Sequence, residues 1–201
     1  MLIIASGSKH RQLDVFNEDK YVGKSLSYCA VCDGAFYAGR DVMVIGGGNS
    51  SLQEAVMLSE ICSHVTIIQN LAYLTGEEVL AKKLMSTANV DVVYNCVVEA
   101  LDGEDFLDAV ILHDVSTGES KLLDTEGVFV AIGQQPDNGV FAEVAELDAS
   151  GYIVAGEDCM CSTPGVFAAG DCRTKRVRQI TTATGDGATA AVGACRYLDS
   201  L

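Results

Sequence analysis

Cys29 and Cys32 form a C-x-x-C pair, and Asp33 follows at once. A thiol pair at this spacing can open and close a disulfide by thiolate attack through a mixed disulfide. The neighbouring carboxyl could pass a proton to the departing thiolate, so Asp33 favours redox use. Two other readings stay open on the residues alone. The pair could supply half of a tetrahedral zinc site, with Cys159 and Cys161 as the other local pair, or it could be two buried core thiols. Cys62, Cys96 and Cys195 adjoin apolar runs and read as core, and Cys172 has no partner in sequence. His10, His64 and His113 share no spacing.

A second motif, Gly46-Gly47-Gly48-Asn49-Ser50-Ser51, follows Val42-Met43-Val44-Ile45 and opens a helical pattern. Strand, glycine turn and helix in that order bring a pyrophosphate close to free helix N–H groups. The bland alternative is a glycine turn with no ligand. The next strand should end in an acid that holds ribose hydroxyls. Here Gln69-Asn70-Leu71 stands instead, with no arginine after it for a 2′-phosphate. The Gln69 amide can bond a ribose hydroxyl, though without charge assistance. A third motif is the strand pattern ending in Gly170-Asp171, followed by Arg178-Gln179-Ile180. An Asp at the carboxyl end of a strand is well placed to accept bonds from a polyol chain, although the same Asp could simply cap a turn. Gly185 and Gly187 predict the start of a last helix and a second anion or carbonyl site.

The elements needed to hold these groups are legible as alternating runs. Strands are predicted over 41–45, 65–68, 90–94, 106–113, 127–132 and 166–169, and helices over 49–63, 77–86 and 185–198. Ser116-Thr117-Gly118-Glu119 predicts a hairpin between 106–113 and 121–123. Strand, helix, strand, helix, an antiparallel insertion and a returning strand make an α/β chain with a Rossmann-like parallel sheet. The two ends, with too few elements for a sheet of their own, read as pieces of a second domain.

Composition narrows the function classes. In 201 residues, acids outnumber bases 28 to 13, a net charge of −15, which argues against a nucleic-acid or anionic-membrane surface. No apolar run is long enough to span a bilayer, and Met1–Ser6 lacks a basic flank. Eight cysteines without an export signal predict reduced thiols in the cytoplasm.

Taken together, the motifs resemble the low-molecular-weight thioredoxin reductase family over nearly the whole chain. The resemblance runs from Leu2-Ile3-Ile4-Ala5-Ser6-Gly7 through Ser27–Gly34 and Val44–Ser50 to Val128–Gly133, Gly165–Asp171 and Arg178–Ile180. It implies that electrons pass from NADPH or NADH through FAD and a Cys29–Cys32 disulfide to a thioredoxin-like dithiol protein. By it, Cys32 faces the flavin, Cys29 exchanges with thioredoxin, and Asp33 donates the proton. Gly46, Gly48, Asn49, Ser50, Gln69 and Gly133 would line the nicotinamide dinucleotide, and Asp171, Arg178, Gln179 and Ile180 the flavin. No metal is implied, and the family is homodimeric, turning two domains about hinges near 9–22 and 133–137. On this basis 1–22 is the end of an FAD domain with its hinge, 23–133 the NAD(P)H domain, and 134–201 the rest of the FAD domain. The family's N-terminal glycine-rich flavin segment has no counterpart before Met1. The chain is therefore expected to be a fragment that holds FAD poorly. The alternatives are a catalytically silent dinucleotide-binding module, a zinc-stabilised domain, or a relative reduced by ferredoxin.

Overall fold

Val42-Met43-Val44-Ile45 has no polar member, so it suits a strand covered on both faces. In the computed structural model, which describes all 201 residues, this run lies in the middle of a five-stranded parallel sheet. In chain order the elements are β1 (Leu2–Ile4), β2 (Lys9–His10), α1 (Glu18–Tyr21), β3 (Leu26–Ser27), α2 (Ala30–Asp33), β4 (Asp41–Ile45), α3 (Asn49–Ser59), β5 (His64–Ile68) and α4 (Glu78–Met85). There follow β6 (Val90–Val93), β7 (Cys96–Asp102), β8 (Ala109–Asp114), β9 (Ser120–Asp124), β10 (Gly127–Val130), β11 (Gln134–Gln135), β12 (Val166–Ala168) and α5 (Ile180–Asp199).

The chain divides into two compact units, Arg11–Gly133 and Met1–His10 with Gln134–Leu201. In the first, the sheet order is β3-β10-β4-β5-β6 with every pair parallel. Val42, Val44 and Phe129 pack with Leu52, Ala55 and Leu58 of α3 on one face. Met43, Ile45, Val128 and Val130 pack with Val110 and Leu112 of β8 on the other. From β4 the chain builds outward to β5 and β6 on one side, and β10 lies on the other. That reversal opens a crevice at the carboxyl ends of the strands. Phe129 is wholly buried and meets the Tyr37 ring edge-on at 5.1 Å. Phe129→Ala is expected to cost about 3–5 kcal/mol, read as a lower denaturation midpoint, because β10 has no slack to close the cavity.

The second unit pairs β1 with β12 in parallel, Leu2 opposite Val166, and β2 with β11 antiparallel. Ile4, Ile153, Ala168 and Cys172 form one apolar cluster, and Phe167, Ala190 and Ala194 another beneath α5.

Several elements differ from expectation. β7 is a full strand that the pattern hid, since a bulge between Val98 and Ala100 breaks its alternation. α3 ends at Ser59 rather than 63, with the N–H groups of Ile61 and Cys62 turning back to Leu58 O. α5 begins at Ile180, not 185, because Gln179 and Thr182 make a reciprocal capping box. Gly185 and Gly187 therefore lie inside the helix, and the anion or carbonyl site expected at their N–H groups is corrected: no helix starts there. Residues 11–22, expected with the hinge, pack into the larger unit: Tyr21 is buried and its hydroxyl donates to Gly103 O at 2.7 Å.

Candidate functional site

Cys29 precedes α2 as its N-cap, extended at φ −151°, and Cys32 sits one turn on. One helical turn brings their Cα atoms to 5.3 Å, and the two sulfurs are joined in a disulfide. The Cys32 N–H donates to Cys29 Sγ at 3.2 Å, a contact that favours negative charge on that sulfur when the bond opens. Cys32 is exposed and Cys29 half-buried. Asp33 is held from behind: Ser27 donates its hydroxyl to Asp33 Oδ2 at 2.6 Å and accepts the Cys29 N–H at 3.0 Å. Ser27 thus ties the acid to the backbone of the first cysteine. Sequence reasoning missed it, because a lone serine at a strand end carries no distinctive signal.

With their sulfurs bonded to each other, Cys29 and Cys32 offer no thiolate to zinc. Cys159 and Cys161 belong to the other unit, and no group of three His, Cys, Asp or Glu side chains could hold a metal ion.

The glycine turn lies in the crevice of the larger unit. Gly46 has φ +126°, and a side chain there would run into Ala131 O at 2.6 Å. Gly47 faces the Gln69 side chain so closely that a Cβ would overlap it. The first N–H groups of α3 have no carbonyl behind them in the helix and no side-chain cap. The turn opens on a cavity of about 620 Å³ whose lining includes Gly46, Gly48, Asn49, Ser50, Gln69 and Gly133. Six residues singled out in sequence thus share one cavity. Gln69 is buried, and its amide braces its own loop: Nε2 donates to Tyr73 O at 2.9 Å while Oε1 accepts the Asn70 N–H. Arg11 and Thr75, not singled out, also line the cavity, and Arg11 is the one charged residue there. Asn49 does a second task, its Oδ1 accepting the Glu77 N–H at 2.6 Å and fixing the loop that leads into α4.

In the smaller unit, Asp171 follows β12 in a short 3-10 turn, and its Oδ1 is buried with no hydrogen-bond partner. Arg178 stacks on the Tyr152 ring at 4.0 Å and donates to Asp171 O at 3.5 Å. Gln179 caps α5, and Ile180, its first residue, is 85% exposed. The Asp171 turn is anchored by Asp186, which sequence reasoning passed over. Asp186 accepts the Gly170 N–H at 3.0 Å, both Nε and Nη2 of Arg173 at 2.9 and 2.7 Å, and Lys175 Nζ at 2.8 Å. The Arg173 guanidinium holds its carboxyl well below the usual carboxylate range, with burial opposing. A carboxyl depressed in the folded state contributes stability above its unfolded pKa of about 4 and loses it as pH falls toward the folded value. Asp186→Asn is expected to cost about 3–5 kcal/mol at neutral pH, because two cations lose their buried partner. Urea titrations should show that difference shrinking below about pH 4; a constant difference would mean that the charge pair is not its source.

No helix is long and apolar enough to cross a membrane. The family model described as pyridine nucleotide-disulphide oxidoreductase matches residues 1–187. The thioredoxin reductase of Treponema pallidum is 40% identical over 200 residues, covering 100% of this chain and 65% of its own length. That of Coxiella burnetii is 42% identical, again over 100% of this chain and 65% of its own. The crystal structure of thioredoxin reductase from Streptococcus pyogenes superposes with a TM-score of 0.91 at 38% identity, over 99% of this chain and 65% of that one. The chain thus spans about two-thirds, slightly under, of the relatives it matches.

Proposed function

Because the chain belongs to the pyridine nucleotide-disulphide oxidoreductase family, in its low-molecular-weight thioredoxin reductase group, we propose that it carries the exchange and dinucleotide-binding parts of a thioredoxin-disulfide reductase. The observation behind this reading is the Cys29–Cys32 disulfide at the head of α2, with Asp33 tethered to it through Ser27. In this reading Cys29 is the exchanging sulfur, since the Cys32 N–H stabilises its thiolate. Asp33 holds the proton that the departing thiolate needs, and Ser27 keeps the acid in place. Val31 and Phe36, 68% and 77% exposed on either side of Cys32, offer an apolar surface to a small dithiol protein.

The residues of the smaller unit fit a flavin. The orphaned, buried Asp171 Oδ1 is an acceptor suited to a ribityl hydroxyl, and Arg178, which precedes Gln179 in the chain, donates to the backbone oxygen of the same residue. FAD, when bound, supplies electron transfer between a nicotinamide and a disulfide. The first N–H groups of α3, with Asn49 and Ser50, suit the pyrophosphate of the nicotinamide dinucleotide. Gly46 and Gly48 leave it room, and Gly133 flanks the same cavity. Gln69 supports the turn from beneath. Arg11 is the only cation in the lining and the loop from 69 to 77 after β5 holds no base, so the reading takes NADH in preference to NADPH. The cytoplasm and a homodimer belong to the same reading.

Two measurements test it. Calorimetric titration should give tighter binding of NADH than of NADPH, and binding of neither would remove the dinucleotide from the proposal. A Cys32→Ser chain, reduced and mixed with thioredoxin whose disulfide is activated, should trap a mixed disulfide at Cys29. Trapping at no cysteine would overturn the exchange function.

A further inference from the structure

We propose that Glu54 is the proton acceptor coupled to opening of the Cys29–Cys32 disulfide, an inference that rests on reading this pair as redox-active. Glu54 lies on α3, which packs against α2. Its Oε2 is buried and has no hydrogen-bond partner. The one group that favours its charged form is the Ala30 N–H, in the peptide unit that Cys29 and Ala30 share. Cys29 Sγ accepts from the Cys32 N–H of the same turn. The carboxyl and the first sulfur therefore sit on the amides of a single helical turn, and an ionised Glu54 leaves one oxygen without a donor. A buried carboxylate oxygen in that condition costs free energy that protonation relieves.

The surroundings make Glu54 responsive to the sulfur rather than to other charges. Burial pushes its carboxyl up to about 7, and only the Ala30 N–H opposes. The titratable groups of the packed elements do not act on it: Asp33 of α2 and Tyr37 beyond it, Asp41 of β4, His64 of β5, and Glu78, Lys82 and Lys83 of α4. Opening the disulfide places a new negative charge on Cys29, in the same turn whose Ala30 amide faces Glu54, and a like charge added there favours the protonated carboxyl.

An external dithiol is oxidised to its own disulfide, releasing two electrons and two protons. The Sγ–Sγ bond of Cys29 and Cys32 breaks, Cys32 takes one proton, Cys29 remains a thiolate, and Glu54 takes the second proton. Asp33, tethered to Ser27, takes no proton in this step and keeps the role proposed for it above.

The purified chain, equilibrated with reduced and oxidised dithiothreitol from pH 6 to 8.5, tests this without cofactor or partner. In Glu54→Gln the reduction constant should rise tenfold per pH unit throughout, because the second proton goes to solvent. In the native chain it should level off above about pH 7, where Glu54 enters ionised and leaves protonated. Infrared difference spectra of the native chain, reduced minus oxidised, should gain a protonated-carboxyl band above that pH, and Glu54→Gln should lack it. Coincident pH profiles, or no carboxyl band, would overturn the proposal. Failure here leaves thioredoxin exchange standing, and failure to trap thioredoxin leaves this coupling measurable with the small dithiol.

Discussion

Cys29→Ser is expected to lower transfer of reducing equivalents to a protein disulfide by roughly a thousandfold or more, to the uncatalysed background. Serine keeps the shape and the N-cap of α2, so the unit should stay folded. What it removes is the sulfur that accepts the Cys32 N–H and that, in the proposed function, carries charge when the disulfide opens. An alcohol neither ionises at neutral pH nor forms a mixed disulfide, so no amount of dithiol restores the step. Stopped-flow reduction of thioredoxin by the prereduced chain reads the effect, with circular dichroism as the control for folding. Ser27→Ala should show a milder form: Asp33 loses its 2.6 Å donor and the Cys29 N–H loses its acceptor while both sulfurs remain. If Cys29→Ser kept its rate, the exchanging sulfur would have to be sought elsewhere.

Gly46→Ala is expected to remove nicotinamide dinucleotide binding and to destabilise the larger unit at the same time. Two independent costs meet at this position. At φ +126° an L side chain is strained by about 1–3 kcal/mol. The added carbon would also sit 2.6 Å from Ala131 O, a carbonyl just beyond the end of β10. The turn is pinned on both sides, its Gly46 N–H donating to Ile68 O and the Ala131 N–H to Ile45 O, so neither partner can retreat cheaply. The strain would be relieved by shifting the turn, which moves the first amides of α3 away from the cavity. Affinity should drop about a hundredfold or more, equivalent to roughly 3 kcal/mol, and the denaturation midpoint should fall with it. Native-like NADH binding by Gly46→Ala would show that the turn is not the pyrophosphate cradle. Gly48→Ala is the contrasting case: its φ is −88°, and a Cβ there has open space out to Thr75 Oγ1 at 3.8 Å. Its effect on folding should be small, so any loss of binding reports on the ligand alone.

Much of this could be read one-dimensionally, for a local reason. A C-x-x-C pair spans one helical turn, and a glycine run between a wholly apolar strand and a helix marks a turn, so Cys29, Cys32 and Gly46–Ser50 stood out from their neighbours in the chain, while zinc or core packing stayed open for the cysteines until the fold joined the two sulfurs. Alternation of apolar runs marked β4, β5, β6 and β10 for the same reason. The capped start of α5 was missed because its signal, Gln179 with Thr182, is weaker than the glycines inside the helix, and β7 because a bulge breaks its period. Other features depend on residues far apart in the chain. Glu54 acquires its environment only because α3 lies against α2. Asp186 becomes the anchor of the Asp171 turn only when Arg173 and Lys175 fold around it. Gln69, read as a ribose ligand, braces its own loop once Tyr73 and Asn70 return to it. Burial, orphaned oxygens and pinned amides are properties of a packed interior, and a linear order of side chains contains the parts without stating which of them water can still reach.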